Sequence, residues 1–376
     1  MASEILWFFN APDGHYPWEP DGRRKVDQLK HFRVLAAAMD ELPYSGALVA
    51  TMRHEPLILA TTLATLTEKF RPLVAVYPGL ISPSTLANMA LSFDDLFNNR
   101  LVINIINSET PVMREFGVFL ENDQRYEMHE EYWSIFKRLV AGEIIDHEGR
   151  FFKLAQAGKS IRIQPTRPSV PLWFSGSSDA AIEFAGRHAV NYLTFAEPLH
   201  LVKEKIKRVR DAADRNGRTL RIGLRAPLIV RETSEEAWGA AKDFLGRATS
   251  ATLAARAEIA RRGGKSGGTS VSAQRLSGLI DKRELENLLA GKTPEDPRVL
   301  QIAPNLWSGQ TILQDGPPTA LVGSVNEVVE RLQEYESIGV DTFIFSAYPL
   351  IEQAYYVAEK ILPHLGVQPF PLKNVA

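Results

Sequence analysis

Leu172-Trp173-Phe174-Ser175-Gly176-Ser177-Ser178-Asp179 passes from apolar residues straight into small polar ones, and a helical pattern follows. The first three residues read as a short buried strand. The Gly-Ser-Ser-Asp turn suits the start of a helix, where Ser and Asp side chains accept otherwise unpaired backbone N–H groups. The same strand–turn–helix unit recurs on both sides. Toward the N-terminus lie strand runs at residues 5–9 (ILWFF), 46–51 (GALVAT), 73–77 (LVAVY) and 101–106 (LVINII). Helical patterns cover about residues 25–42, 56–67 and 124–140, and a further helix starts at Ser82-Pro83, a cap followed by proline at the first helical position. Toward the C-terminus come strand 191–195, helix 198–215, strand 220–230, a helix from Ser234, helix 326–338, strand 342–345 and a last helix containing Tyr355. All-parallel sheets are covered by helices on both faces or closed. Eight alternations over this length predict a closed (β/α)8 TIM barrel. The first strand-to-helix turn lacks the Gly-x-Gly-x-x-Gly fingerprint of an open dinucleotide-binding sheet.

Two stretches interrupt the alternation inside what reads as one domain, residues 1–376. Residues 142–170 carry turns at His147-Glu148-Gly149 and several prolines, and read as a hairpin insertion. Residues 249–300 contain Arg261-Arg262-Gly263-Gly264-Lys265-Ser266-Gly267-Gly268, which has no apolar surface to bury. Leu276, Leu279, Ile280, Leu285, Leu288 and Leu289 follow in helical stripes. This second insertion is expected to be a mobile lid over the site, the alternative being a solvated surface insertion with no role.

Composition narrows the function. Of 376 residues, 45% are hydrophobic and 23% charged, which is the globular range. With 43 basic and 45 acidic residues the net charge is -2, so a polyanion-binding chain has no support and no nucleic-acid partner is expected. Cysteine is absent, which excludes disulfides, iron–sulfur clusters, Cys-ligated zinc and thiol nucleophiles. No apolar run reaches the roughly 18 residues of a spanning helix, and the first residues do not read as a signal peptide. A soluble, cytoplasmic protein with no membrane partner is expected.

Barrel enzymes place their chemistry at the carboxyl ends of the strands. Here those ends carry Asp13-Gly14-His15-Tyr16, then Thr51, Arg53, His54 and Glu55, then Asn107, Ser108 and Glu109. Gly176-Ser177-Ser178-Asp179, Phe195 and Glu197, Arg225, and Tyr348 complete the set. The Gly176 turn could cradle an anion at a helix N-terminus or simply cap the helix. Arg225 interrupts an apolar strand, so it needs a carboxylate such as Glu197 or an anionic ligand. His15 could donate to an oxyanion, transfer a proton, or be an ordinary hydrogen-bonded histidine. His54-Glu55 lacks a third partner for a metal, and no metal is expected. Tyr348 could be only a rim aromatic.

With these residues laid out, the chain resembles the flavin-dependent alkanesulfonate monooxygenases of the bacterial-luciferase-like superfamily. The matching segments are Trp7-Phe8 with Asp13-Gly14-His15-Tyr16, Arg125-Tyr126-Glu127, Phe174 to Asp179, Leu193-Thr194 with Glu197-Pro198, Leu201 to Ile206, Ile229 to Thr233, Pro304-Asn305-Leu306-Trp307, Thr319 to Gly323, and Tyr348-Pro349. The resemblance implies reduced FMN delivered by a separate NAD(P)H-dependent flavin reductase, O2 as cosubstrate, and cleavage of a carbon–sulfur bond to sulfite and an aldehyde. It implies Arg225, helped by Arg53, on the sulfonate or a peroxide anion, and His15 and Tyr348 as proton or hydrogen-bond donors. The flavin would be held by Gly176, Ser177 and Ser178, with Tyr126, Asn107 and Ser108. Phe195, Trp307, His54, Glu55 and Gln314 would face the substrate.

The chain also departs from the resemblance. A cysteine is replaced at or beside His54-Glu55, a histidine by Pro227, another by Leu350, a lid arginine by Gln314 and a tryptophan by Phe195. His54, Glu55 and Gln314 suit hydroxyl groups, which points to a polyhydroxylated sulfonate such as sulfoquinovose. A homo-oligomer, dimer or tetramer, is expected. The rival readings are a deazaflavin- or flavin-dependent hydride-transfer enzyme, a barrel glycosidase using Asp13 and Glu55, and a non-catalytic flavin-binding barrel.

Overall fold

Strands buried on both faces need uninterrupted apolar sequence, and the strand runs supply it. Five of the six residues of Glu4–Phe9 and all four of Val102–Ile105 are buried in a computed structural model of the chain. The structure describes residues 3–9, 28–50, 54–107, 110–261, 278–310 and 319–367. In chain order the elements are β1 (Glu4–Phe9), α1 (Gln28–Glu41), β2 (Gly46–Val49), α2 (Pro56–Ala64), β3 (Pro72–Val76), α3 (Pro83–Leu96), β4 (Val102–Ile105) and α4 (Thr110–Glu115). They continue with α5 (Asn122–Val140), β5 (Ile145–Glu148), β6 (Lys153–Ala157), β7 (Leu172–Ser175), α6 (Asp179–His188), β8 (Asn191–Phe195), α7 (Leu199–Arg215) and β9 (Arg221–Arg231). After these come α8 (Ser234–Gly246), α9 (Ser250–Arg261), α10 (Lys282–Leu289), β10 (Gln301–Ala303), β11 (Leu306–Trp307), β12 (Ala320–Ser324), α11 (Val325–Ser337), β13 (Thr342–Ser346) and α12 (Leu350–Lys360).

The strand order β9-β13-β1-β2-β3-β4-β7-β8, with β8 pairing back to β9, is a closed eight-stranded parallel barrel surrounded by helices. Its eight strands are the eight apolar runs of the sequence. Helix starts follow local chemistry. Ser82 caps α3 by accepting from the Thr85 N–H at 3.1 Å, ahead of Pro83. Reciprocal capping boxes open α8 (Thr233 with Glu236) and α11 (Ser324 with Glu327).

The backbone divides into two compact units. The first comprises residues 1–47, 193–207 and 221–376. Here β9 is long because it changes partners along its length. Gly223 to Pro227 lie beside Thr342 to Ser346 of β13, and Leu228 to Arg231 beside Leu321 to Ser324 of β12. Pro227 stands at the changeover, where its missing N–H is tolerated. The strands at β10, β11 and β12 were not anticipated; β10 and β11 have three and two residues, too few for any periodic signal.

The second unit comprises residues 48–192 and 208–220. An antiparallel β5–β6 hairpin occupies part of residues 142–170. Glu131 of α5 fastens it, accepting from the Phe151 and Phe152 N–H groups at 3.0 and 2.8 Å, with His147 at 2.9 Å. Behind α3, Arg167 grips the buried Asp94 carboxylate with two bonds of 2.7 and 2.8 Å and donates to the Leu101 carbonyl at 2.7 Å. Among the described residues no helix is long and apolar enough to cross a membrane.

Removing one partner of a buried pair strands the other charge. Asp94→Ala is therefore expected to cost about 3 kcal/mol in urea unfolding. A loss below about 1 kcal/mol would mean that Arg167 finds solvent without the carboxylate.

Candidate active site

In the first unit, β9 carries Arg225 between the buried Leu224 and Ala226, so its side chain leaves the strand on the opposite face from theirs. Its guanidinium carbon lies 4.3 Å from the centroid of the Phe8 ring. The Nε is buried and has no hydrogen-bond acceptor among the described residues, while part of the side chain remains accessible. Burial pulls the Arg225 pKa down to about 10, and Tyr348 acts in the opposite direction, so the group stays cationic at neutral pH. Tyr348 follows β13 and is itself buried.

The carboxylate that sequence position offers to Arg225 is engaged elsewhere. Glu197 is fully buried and forms an ion pair with Lys205 of α7, whose Nζ also donates to Thr194 Oγ1 at 3.2 Å. The backbone at this corner is tied from three directions. Ala196 N–H donates to the Arg225 carbonyl at 3.0 Å, Thr319 Oγ1 to the Ala196 carbonyl at 2.5 Å, and Tyr335 OH to the Glu197 carbonyl at 2.5 Å. Among the described residues Arg225 has no carboxylate partner. Phe195 stands half-buried at the end of β8. Trp307 is fully buried, and its indole N–H donates to the Pro297 carbonyl at 3.0 Å. That packing leaves Trp307 no open surface for a substrate.

In the second unit, the turn after β7 caps a helix, one of the two readings of its sequence. Ser178 caps α6, its hydroxyl accepting from the Ala181 N–H at 3.2 Å. Gly176 has no room for a side chain, since an added Cβ would lie 2.6 Å from Ala181 Cβ. Tyr192 OH fixes the Gly176 carbonyl at 2.6 Å. Gly176, Ser177 and Ser178 are all part-exposed at the N-terminus of a ten-residue helix. The half-open turn and the positive helix end fit a phosphate group.

Asn107, just past β4, accepts from Arg125 Nε at 3.1 Å, and Arg125 also donates to the Leu120 carbonyl at 3.0 Å. Tyr126 is half-buried, with its ring against His129 and Phe184. His54 and Glu55 are exposed. Glu55 caps α2, its Oε2 accepting from the Ile58 N–H at 2.7 Å. His15, Asp13, Arg53, Ser108 and Gln314 lie outside the described residues.

Against known families, residues 6–342 match the luciferase-like monooxygenase model. The chain belongs to that family. Solved structures share the fold at low identity. A riboflavin lyase structure with modified FMN and riboflavin has a TM-score of 0.77 at 20% identity, covering 98% of this chain and 92% of that one. EDTA monooxygenase from Chelativorans sp. BNC1 scores 0.72 at 16% identity, covering 98% and 95%. The coenzyme F420-dependent tetrahydromethanopterin reductase from Methanopyrus kandleri scores 0.64 at 14% identity, covering 97% and 99%.

Two buried groups in this luciferase-like chain escaped the sequence reading. Arg125 carries a signal there, since it opens the Arg125-Tyr126-Glu127 segment. His129 carries none. It is 0% exposed, and neither ring nitrogen has a hydrogen-bond partner among the described residues. Burial first, then the nearby Arg125 charge, pushes its pKa down to about 3.

The sign of the resulting pH dependence follows from that depression. Between the unfolded histidine value near 6.5 and about 3, the unfolded chain binds a proton that the folded chain refuses. Stability contributed by neutral His129 is therefore present above pH 6.5 and lost on acidification. Relative to His129→Leu, the wild type should lose about 2 kcal/mol more between pH 7 and pH 5, read by urea unfolding at each pH. Parallel pH curves for the two proteins would refute this.

Proposed function

We propose that the chain is a two-component, FMN-dependent monooxygenase that cleaves the carbon–sulfur bond of an organosulfonate, releasing sulfite and an aldehyde. The observation that carries this reading is Arg225, a cation without a carboxylate partner among the described residues. It lies on a barrel strand, level with the residue that follows β8. A desolvated charge of this kind is a strong attractor for an anion such as a sulfonate. Arg225 is assigned the anionic head group, and Tyr348 a hydrogen bond or proton to the reacting end. Gly176, Ser177 and Ser178 are assigned the flavin phosphate, with Tyr126 and Asn107 as further contacts. His15, Arg53 and Ser108 keep the roles that the resemblance implies.

Reduced FMN, supplied by an NAD(P)H-dependent flavin reductase, would provide the oxidising power together with O2. One structural neighbour, the riboflavin lyase with modified FMN, supports a flavin. Residues 249–300 are assigned the role of lid. Within them Leu253, Ala257, Ile280 and Leu288 are buried, so α9 and α10 are built to pack. A closed lid would keep water from the reacting centre. The substrate preference is assigned to a sugar sulfonate such as sulfoquinovose, on His54, Gln314 and the second oxygen of Glu55.

The test is a panel of sulfonates assayed for sulfite with a generic flavin reductase, with and without O2. Sulfite should require both reduced FMN and O2, and sulfoquinovose should show a higher kcat/KM than octanesulfonate or methanesulfonate. Arg225→Ala should lower sulfite release 10²–10³-fold, about 3–4 kcal/mol, with unchanged circular dichroism. Preference for a plain alkanesulfonate would overturn the sugar assignment alone. Hydride transfer to a deazaflavin without sulfite would favour the F420-type reading that the reductase neighbour supports.

A further inference from the structure

We infer that Phe8 is the positioning residue that keeps the charge of Arg225 available to an anion, an inference that rests on the reading of Arg225 as the anion-binding group. Enclosed cations elsewhere in the chain have polar partners: Arg100 donates to the carbonyls of Ala64, Thr67, Phe70 and Phe97, and Arg125 to Asn107 and the Leu120 carbonyl. Lys205 has Glu197 and Arg167 has Asp94, so each is neutralised where it sits. Arg225 has a benzene ring instead. The negative face of an aromatic ring attracts a cation, yet carries no net charge and titrates nothing. The guanidinium is thus held without being cancelled.

Strand register explains how the ring reaches it. Leu6 of β1 lies beside Ile344 of β13, and Ile344 beside Arg225 of β9. Phe8 is two residues further along β1, on the same face as Leu6 and closer to the carboxyl ends of the strands. Arg225 therefore starts level with Leu6, and its guanidinium sits over a ring anchored one step nearer the end where barrel enzymes bind substrate. Phe8 is itself buried. The buried Nε has no acceptor among the described residues, so no hydrogen bond to them at that atom sets the orientation. The ring face is what remains to do so. A side chain already ordered before ligand arrives spares the ligand that ordering cost, worth roughly three- to tenfold in affinity for one rotamer-rich side chain.

The test separates ring electrostatics from ring shape. Phe8 is exchanged in the full chain for mono-, di- and trifluorophenylalanine, which drain the negative ring face at nearly constant size. Binding of methanesulfonate and of its neutral counterpart dimethyl sulfone is then measured by calorimetry in the presence of FMN. Methanesulfonate affinity should fall with each added fluorine, reaching about three- to tenfold for the trifluoro ring, while dimethyl sulfone binding stays flat. Arg225→Met should abolish the preference for the anion. A flat fluorine series alongside a sensitive Arg225→Met would overturn the role of Phe8 alone. Should the wild type fail to prefer methanesulfonate, or Arg225→Met bind it equally well, the anion-site reading falls, and this inference with it.

Discussion

A half-buried guanidinium resting on a benzene ring, with no carboxylate partner among the described residues, is the constraint around which the first unit is arranged. Burying a charge without a counter-ion is costly, and proteins keep such groups where a ligand supplies the missing partner. The cost is visible in the Arg225 pKa, drawn down to about 10 by burial. The cation–π contact offsets part of it. What the ring leaves uncompensated is the full positive charge, in a setting where low dielectric strengthens its pull on an anion.

The corner beside it is correspondingly stiff. Glu197 would be a natural counter-ion, but Lys205 occupies it and Thr194 shares the ammonium. Thr319 and Tyr335 pin the carbonyls of Ala196 and Glu197, and the Ala196 N–H pins the Arg225 carbonyl. One tertiary bond therefore fixes the Arg225 backbone, and two more fix the segment after β8 to which it is tied. In the second unit the turn after β7 has an analogous economy, where one serine caps a helix, one tyrosine holds a carbonyl and one glycine leaves room for Ala181.

Much of the barrel was legible because each of its strands is an apolar run ending in turn or cap residues, signals that are local in sequence. The strand at residues 220–230 emerged within one residue of β9. What escaped was either too short or too distant. β10 and β11 fall below any period. The partner of Arg225 is Phe8, 217 residues away, and nothing near Arg225 announces a ring in place of a carboxylate. Glu55 reads as a ligand in sequence, but the turn before α2 takes one of its oxygens as a cap. Trp307 reads as a substrate contact, but its N–H is needed to close a carbonyl left by the turn at Pro297. His129 shows that helical spacing places a polar ring in a core without revealing whether it finds a partner.

In the proposed site, Arg225 binds an anion while Phe8 holds it in place. The most direct measurement is a crystal structure of the chain soaked with a sulfonate in the presence of FMN. The account predicts a sulfonate oxygen within about 2.7–2.9 Å of an Arg225 guanidinium nitrogen, as charge-assisted bonds require, with the guanidinium still stacked on Phe8. A sulfonate bound elsewhere in the protein, with Arg225 untouched or turned toward a carboxylate, would contradict it.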